Sequence, residues 1–259
     1  MKTVVVQLNL VYISFIVMSL MLTGISDAKI DPETIVGMWL FDEGKGDTVK
    51  DYSLNGLDGE IKGKVNWVEG KYKKALKFDG TGVGHIVVKH NEKLDLQKYT
   101  IALWMNIDKP TGKWQGVVVK QNPRCYGMWL NPDSAFPYTS FFSGGADKNL
   151  TGKTPIGDGK WHHVVASYDA KFQRLYVDGK VDAEIARKDK IDTNTTDLTI
   201  GTPNPGNANG VLGTLDDILL CNDALSEDEI EEVMNGLEKL SPVWAAGKLS
   251  ITWGKIKVQ

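Results

Sequence analysis

Short runs of alternating or fully apolar residues, separated by glycine, aspartate and asparagine, follow one another along the chain from Ile35 onward. In the clearest run every second residue from Ile101 to Ile107 is apolar. The residues between them include Ala102 and Trp104, which share the other side of an extended chain. Both sides of this run are largely apolar, which indicates an inner strand with buried residues on both faces.

The same pattern predicts at least eleven short strands with turn residues between them, and no long helix alternates with them. The predicted strands cover residues 37–41, 74–80, 85–89, 100–107, 116–120, 126–130, 138–142, 162–168, 174–178, 198–201 and 214–221. Many short strands at near-regular spacing indicate an all-β antiparallel sandwich or barrel, and the missing strand–helix alternation argues against a doubly wound α/β fold.

One short C-terminal helix is well marked. Ser226 and Glu229 have the spacing of a capping box, and apolar residues repeat at helical spacing from Ile230 to Leu237. Gly236 lies where a glycine can end the helix.

The first residues predict export from the cell. Met1 and Lys2 precede a mostly apolar run, and the small residues Ser26 and Ala28 follow it, as in a secretory signal peptide covering residues 1–28. A retained membrane anchor is the alternative, because the apolar run is long. We therefore expect a secreted or cell-surface protein with no membrane span after signal cleavage.

The mature chain is predicted to consist of one domain, residues 29–240, and a tail, residues 241–259. The tail begins at a Ser-Pro pair and carries Trp244 and Trp253, so it lies outside the helix. The 259 residues carry a net charge of −3, which gives no basic surface for nucleic acid.

Two cysteines, Cys125 and Cys221, lie far apart in the sequence. Export permits a disulfide between them that would close a long loop, and the alternative is two unpaired, buried thiols. The sequence leaves both alternatives open, because it does not determine the distance and orientation of the two cysteine side chains.

The adjacent His162 and His163 suggest a metal site or an acid–base pair. In a strand, however, successive side chains point to opposite faces, so the two imidazoles cannot share one metal. The following Asp178-Gly179 pair is a typical hairpin turn. We therefore interpret this stretch as a structural hairpin.

The stretch DGKWHHVVASYDAKFQRLYVDGK, residues 158–180, closely resembles the central hairpin of LamG-like domains, the concanavalin A-like jelly rolls. Blocks at residues 37–63, 70–88, 99–107 and 212–233 resemble other landmarks of the family in the same order. The resemblance spans roughly residues 35–237 and implies a two-sheet antiparallel β-sandwich.

The resemblance also implies a calcium ion on the rim of the sandwich, as many such jelly rolls hold. The matching positions are Asp42 and Glu43 in the opening turn and Asp216 in the closing strand, and Asp79 is a further candidate by analogy with related modules. Carboxylate and carbonyl oxygens are the ligands that calcium prefers.

Some enzymes with this fold are endo-glycanases, which need paired carboxylates on one face of a strand. No predicted strand carries two carboxylates two residues apart among apolar neighbours, and the acidic run at residues 226–232 belongs to the helix. The sequence therefore favours a non-catalytic module.

A glycan site needs exposed aromatic side chains beside polar groups. Four aromatic residues near loop-rich segments are candidates for ligand binding: Trp114, Tyr126, Trp129 and Tyr138. We expect a binding module for a glycan or an extracellular protein, and the alternative is a structural component of a surface assembly that docks through the tail.

Overall fold

The computed structural model describes residues 30–121, 125–202 and 209–240. In these residues two antiparallel sheets of eight strands each pack as a sandwich, which confirms the predicted fold class. The predicted signal peptide and the tail with Trp244 and Trp253 lie outside the described residues.

The strands are numbered along the chain. Their bounds are β1 Ile35–Trp39, β2 Thr48–Val49, β3 Gly59–Lys62, β4 Asn66–Glu69, β5 Lys74–Asp79, β6 His85–Val88, β7 Tyr99–Ile107, β8 Gln115–Lys120, β9 Tyr126–Leu130, β10 Pro137–Ser143, β11 Ala146–Thr151, β12 Trp161–Tyr168, β13 Phe172–Val177, β14 Lys180–Ala186, β15 Leu198–Ile200 and β16 Leu212–Cys221.

The two sheets, called sheet A and sheet B, interleave along the chain. Sheet A has the order β14-β13-β12-β7-β16-β5-β4, with β1 also paired to β16. Sheet B has the order β11-β10-β9-β8-β15-β6-β3-β2. Non-consecutive neighbours such as β7 and β16 make the pairing long-range, so distant segments must meet before the core can close.

The inner faces of the two sheets bury the main hydrophobic core. Ile101, Leu103, Met105 and Ile107 of β7 are all fully buried there, as their alternation predicts. Ala102 faces the opposite side of sheet A, where it contributes to a second apolar layer.

A single α-helix of the described chain, α1 (Glu227–Met234), covers that second layer on the outer face of sheet A. Ser226 and Glu229 form the predicted capping box, with each side chain bonded to the other residue's backbone N–H. Ile230 and Val233 are the buried residues of the helix. The described residues also include three short 3₁₀ helices, Pro32–Thr34, Glu92–Leu94 and Leu237–Leu240.

The adjacent histidines point to opposite sides of β12, as predicted. Val164 belongs to the inter-sheet core and Val165 to the outer layer, so His162 and His163 alternate in the same way. The turn at Asp178-Gly179 joins β13 to β14, with φ values of 50° and 77°. Two positive φ values identify the type of tight turn that matches the twist of a hairpin.

The two cysteines are free, buried thiols in this structure, so of the two alternatives that the sequence leaves open the disulfide is not formed. Cys125 lies in the core between the sheets, whereas Cys221 lies in the layer outside sheet A, under the helix. The backbone of sheet A separates these two layers. Burial raises the pKa of Cys125 to about 11 and that of Cys221 to about 12, which keeps both thiols protonated at neutral pH.

Among the described residues, no helix is long and apolar enough to cross a lipid bilayer.

Candidate functional site

Tyr126 lies in the core and not at a binding surface, contrary to the prediction. Its ring is fully buried and stacks on Tyr99, with centroids 5.6 Å apart. Its hydroxyl donates to the carbonyl oxygen of Leu94 at 3.1 Å, and burial raises its pKa well above the usual range. Because β9 alternates, Tyr126 faces inward with Met128 and Leu130.

Trp129 faces the outer side of sheet B but is only 3% exposed, so it supports the surface and does not face solvent. Its indole lies so close to Gly127 that a Cβ atom there would come within 2.8 Å of the ring. A glycine at position 127 therefore lets the large ring lie along the sheet.

Trp114 and Tyr138 form the accessible part of this aromatic region. Trp114 directly precedes β8 and is 40% exposed, and Tyr138 of β10 is half-buried. Their ring centroids are 4.6 Å apart at an interplanar angle of 64°, and Tyr138 lies 6.1 Å from Trp129 at 76°. Both contacts are edge-to-face, an arrangement that aromatic pairs favour. We call Trp114, Trp129 and Tyr138 the aromatic cluster.

Polar groups lie beside the aromatic cluster. The hydroxyl of Tyr138 donates to a carboxylate oxygen of Asp147 at 3.4 Å, and the hydroxyl of Ser140 donates to the other oxygen of the same carboxylate. An exposed aromatic face next to hydrogen-bonding groups can pack against the C–H face of a sugar and bond its hydroxyls.

Charged side chains are scarce in the row of outward positions that crosses the middle of sheet B. One row of outward positions crosses all eight strands, and Glu60 is the only carboxylate in that row. Its side chain pairs with Lys62. The row consists of Thr48, Glu60, Val87, Thr199, Val119, Gly127, Ser140 and Asn149.

The four carboxylates proposed for calcium do not form one ligand set in the described chain. Asp42 accepts a hydrogen bond from the Lys73 ammonium at 3.0 Å, so a cation already lies beside it. Asp79 accepts from the backbone N–H and the hydroxyl of Thr81, and the hydroxyl is the main cause of its lowered pKa. The two contacts between Asp79 and Thr81 stabilise a local turn.

Glu43 also serves the opening loop, where it accepts from the backbone N–H of Lys50 at 2.8 Å, and burial raises its pKa. Asp216 is fully buried and accepts from the backbone N–H of Tyr72 at 3.0 Å. Burial raises the pKa of Asp216 to about 8, although backbone N–H donors favour its charged form.

A β-bulge changes the direction of the second aspartate in β16. Asp217 has a φ of 46°, and the strand register shifts between Asp216 and Leu219. Without the bulge, strict alternation would direct Asp217 into the core. With it, Ile218 returns to the core and Asp217 lines a cavity of about 170 Å³ with Asp42 and other residues.

Neither histidine of the 162–163 pair is arranged for catalysis. His162 contacts two carboxylates, Asp178 at 2.8 Å and Asp158 at 3.3 Å, and so fastens the hairpin. His163 is 1% exposed beside Trp104, and neither of its ring nitrogens has a hydrogen-bond partner. Burial lowers the pKa of His163 to about 4.

A fully buried lysine is a feature that the strand pattern does not reveal. The Lys120 ammonium donates to the carbonyl oxygens of Asn194 and Thr196 at 2.7 and 2.8 Å, and it lies 3.1 Å from Nδ1 of His90. Asp95 is 3.7 Å away, and burial lowers the pKa of Lys120. A run of three valines before it, residues 117–119, was the one signal that position 120 lies in a buried strand.

Comparison with known proteins gives a family and a fold. Residues 79–231 match the family model Laminin_G_3, described as the concanavalin A-like lectin/glucanases superfamily. No curated protein matches the chain.

Several solved structures share the fold at low sequence identity. The binding domain of Paraclostridial Mosquitocidal Protein 1 is 18% identical with a TM-score of 0.68, and the match covers 79% of this chain and 52% of that one. The binding domain of botulinum neurotoxin DC, in complex with rat synaptotagmin II, is 16% identical with a TM-score of 0.64 and coverages of 80% and 52%.

Domain 4 of an extracellular arabinanase from Geobacillus stearothermophilus, in complex with arabinotriose, is 17% identical with a TM-score of 0.61. This match covers 77% of the present chain and 98% of the arabinanase domain. By contrast, the present chain spans about half the length of the two toxin binding domains.

Proposed function

We propose that this chain, which belongs to the concanavalin A-like lectin/glucanases superfamily, is an exported, non-catalytic module that binds a glycan through the aromatic cluster. The observation that carries the proposal is the exposed indole of Trp114, held edge-on against Tyr138, which in turn rests on the buried Trp129. A preformed aromatic surface loses little conformational freedom when a ligand binds.

The non-catalytic part of the proposal rests on the outer face of sheet B. A glycanase needs two carboxylates on either side of the scissile bond, at a separation that admits the sugar. In the described row across sheet B, Glu60 has no second carboxylate beside it and is paired with Lys62. The binding domains among the structural neighbours also favour a binding role.

Calcium binding at the rim of the sandwich remains a prediction, and we treat it as separate from glycan binding. Asp42 and Asp216 belong to the sheet A side of the sandwich, whereas the aromatic cluster lies on the outer face of sheet B. We therefore expect a chelator to leave glycan binding at the aromatic cluster unchanged. Loss of binding in chelator would bring Asp42, Glu43, Asp79 and Asp216 back as the first residues to substitute.

The test is a glycan-array screen of the purified chain and its Trp114→Ala variant, with and without chelator. Removing an exposed indole that stacks on a sugar is expected to weaken binding by about tenfold or more. The matched control is Val83→Ala, because Val83 is also an exposed apolar residue, at 57% exposure. Equal binding by wild type and Trp114→Ala would contradict the proposal.

An extracellular protein is the second candidate ligand. One structural neighbour, of which the present chain spans about half, was solved in complex with a protein, rat synaptotagmin II, and this supports a protein as the second candidate. A screen without any glycan binding, followed by Trp114-dependent capture of one extracellular protein, would favour this alternative.

A further inference from the structure

The cavity that Asp217 lines lies on the outer side of sheet A, where β16, the turn between β4 and β5 and the end of α1 meet. Part of its wall is apolar, because Leu40 and Tyr72 are among the lining residues. The ring of Tyr72 faces Gly236, where an added Cβ atom would come within 3.5 Å of it. The cavity measures about 170 Å³. Since a cavity of about 150 Å³ can hold benzene, this one accommodates about six non-hydrogen atoms.

Asp217 supplies a buried carboxylate to this cavity. The bulge in β16 turns its side chain out of the core, and the residue is 5% exposed. The backbone N–H of Leu237 donates to Oδ2 at 3.3 Å, and within the described chain no group donates a hydrogen bond to Oδ1. A buried carboxylate oxygen without a donor is costly, and the N–H of a ligand in the cavity can supply the missing hydrogen bond.

The C-terminal end of α1 adds negative potential at the same place. Asn235 and Gly236 follow the last helical residue and line the cavity. The last turn of α1 contains no basic residue, whereas its first turn contains Glu227, Asp228 and Glu229. Because aligned peptide dipoles leave partial negative charge at a helix C-terminus, a cation in the cavity is stabilised by this end of α1.

The charged side chains of the lining leave room for one more cation. The lining contains three carboxylates and two ammonium groups, so its formal charge is −1. The Lys73 ammonium lies 3.0 Å from a carboxylate oxygen of Asp42 and 3.1 Å from one of Glu238, so it compensates two carboxylates at once. Lys239, the other basic residue, is exposed. The described residues contain no group of three metal-ligating side chains, and the wall is partly apolar, so the cavity suits an organic cation better than a metal ion.

From these features we infer that the cavity binds the ammonium end of an aliphatic amine. One N–H of the ammonium donates to Oδ1 of Asp217, and the alkyl chain packs against Leu40 and Tyr72. The amine is either a free alkylamine or the side chain of a lysine in another polypeptide, because both have the same ammonium and alkyl groups. The inference does not rest on glycan binding, since the aromatic cluster lies on the outer face of sheet B.

The experiment measures amine binding by titration calorimetry of the purified chain. The probes are pentylammonium, which matches the cavity in size, the uncharged 1-pentanol, and Nα-acetyl-lysine N-methylamide. The titrations are run at pH 8, above the pKa of about 7 that burial gives Asp217, so that its carboxylate is ionised. Pentylammonium is expected to bind with a Kd of about 1 mM or below, and 1-pentanol about tenfold or more weakly, because it lacks the charge.

Two of the probes distinguish the source of the amine. Binding of the lysine derivative with an affinity close to that of pentylammonium supports a lysine side chain as the ligand. Binding of pentylammonium alone supports a free alkylamine, because the bulk at the far end of the lysine derivative then does not fit.

Three substitutions locate the binding. Asp217→Asn is expected to weaken pentylammonium binding about tenfold or more, because it removes the charge that the ammonium contacts. Glu238→Gln is expected to weaken it only about twofold to threefold, since the side chain of Glu238 is 42% exposed and its charge is screened by solvent. The matched control is Asp228→Asn, the same charge change at the other end of α1, which is expected to leave the affinity unchanged. Thermal unfolding of each variant checks that it is folded.

Three results would overturn the inference: no binding of either amine up to about 20 mM, equal binding of pentylammonium and 1-pentanol, or equal binding of pentylammonium by wild type and Asp217→Asn. Calcium binding without amine binding would also overturn it and would identify a metal site instead. None of these results bears on the proposed glycan site, which is tested separately by Trp114→Ala.

Discussion

Protonation of His163 is expected to make the folded protein less stable in mild acid. The imidazole is 1% exposed, packs 5.3 Å from the ring of Trp104, and has no hydrogen-bond partner at either nitrogen. Its charged form would lose its hydration in the folded state and gain no hydrogen bond in return. Burial is therefore the main cause of its lowered pKa, which is about 4, and the charge of Asp178 offsets it in part.

The sign and size of the effect follow from linkage. An unfolded histidine has a pKa of about 6.5, so between pH 6.5 and pH 4 the unfolded chain binds a proton that the folded chain does not. The stability that neutral His163 contributes is fully present above pH 6.5 and is lost as the pH falls toward 4. The difference between the unfolded pKa of about 6.5 and the folded pKa of about 4 corresponds to about 3 kcal/mol of the free energy of unfolding.

The perturbation that tests this reasoning is His163→Leu, which fills the site with an apolar side chain that does not titrate. At pH 7 we expect the free energy of unfolding to change by less than about 1.5 kcal/mol. We then compare the difference in free energy of unfolding, variant minus wild type, at the two pH values. This difference is expected to be about 3 kcal/mol larger at pH 4 than at pH 7, in favour of the variant.

The assay is chemical denaturation of both proteins at several pH values between 4 and 7.5, followed by circular dichroism. Taking the difference between variant and wild type removes the contributions of the other titrating groups. His162→Asn is the control for loss of an imidazole, because His162 lies on the opposite face of β12 between two carboxylates. A variant that differs from wild type by the same amount at pH 4 and pH 7 would refute the argument.

Two further predictions concern buried charged groups. Lys120→Met is expected to lower the free energy of unfolding by about 3 kcal/mol, because it leaves the carbonyls of Asn194 and Thr196 without this donor. A denaturant titration measures the loss, and a loss below about 1 kcal/mol would contradict the prediction. Burial raises the pKa of Asp217 to about 7. Between about pH 4 and pH 7 the unfolded chain loses a proton that the folded chain keeps, so the folded protein becomes less stable as the pH rises through this range. Asp217→Asn is expected to remove up to about 4 kcal/mol of this loss, measured as a variant-minus-wild-type difference that grows between pH 4 and pH 8; a constant difference would show that Asp217 does not titrate in this range.

The sequence by itself determined the elements whose cause is local. The alternation from Ile101 to Ile107 required a strand buried on both faces, and that strand lies in the middle of sheet A. Ser226 and Glu229 could be recognised as a cap because the capping box involves residues only three positions apart. The opposite directions of His162 and His163 follow from strand geometry in the same way.

The candidate site was only partly predictable. Trp114, Tyr126, Trp129 and Tyr138 were all plausible as surface aromatics, but the phase of the alternation in β9 depends on which face of sheet B meets sheet A. That choice places Tyr126 in the core and Trp129 beneath Tyr138, and it leaves Trp114 exposed. The placement of the outward residues of β11 beside the aromatic cluster had no local signal, because it depends on the pairing of β11 with β10.

Tertiary structure alone decided the remaining features, because each joins segments that are distant along the chain. The bulge at Asp217 allows β16 to keep its later apolar residues in the core while a carboxylate leaves it. Lys120 is buried because carbonyl groups 74 and 76 residues away supply acceptors for its ammonium. Cys125 and Cys221 remain unpaired because sheet A separates the two apolar layers in which they lie, and no spacing in the sequence records that layer boundary.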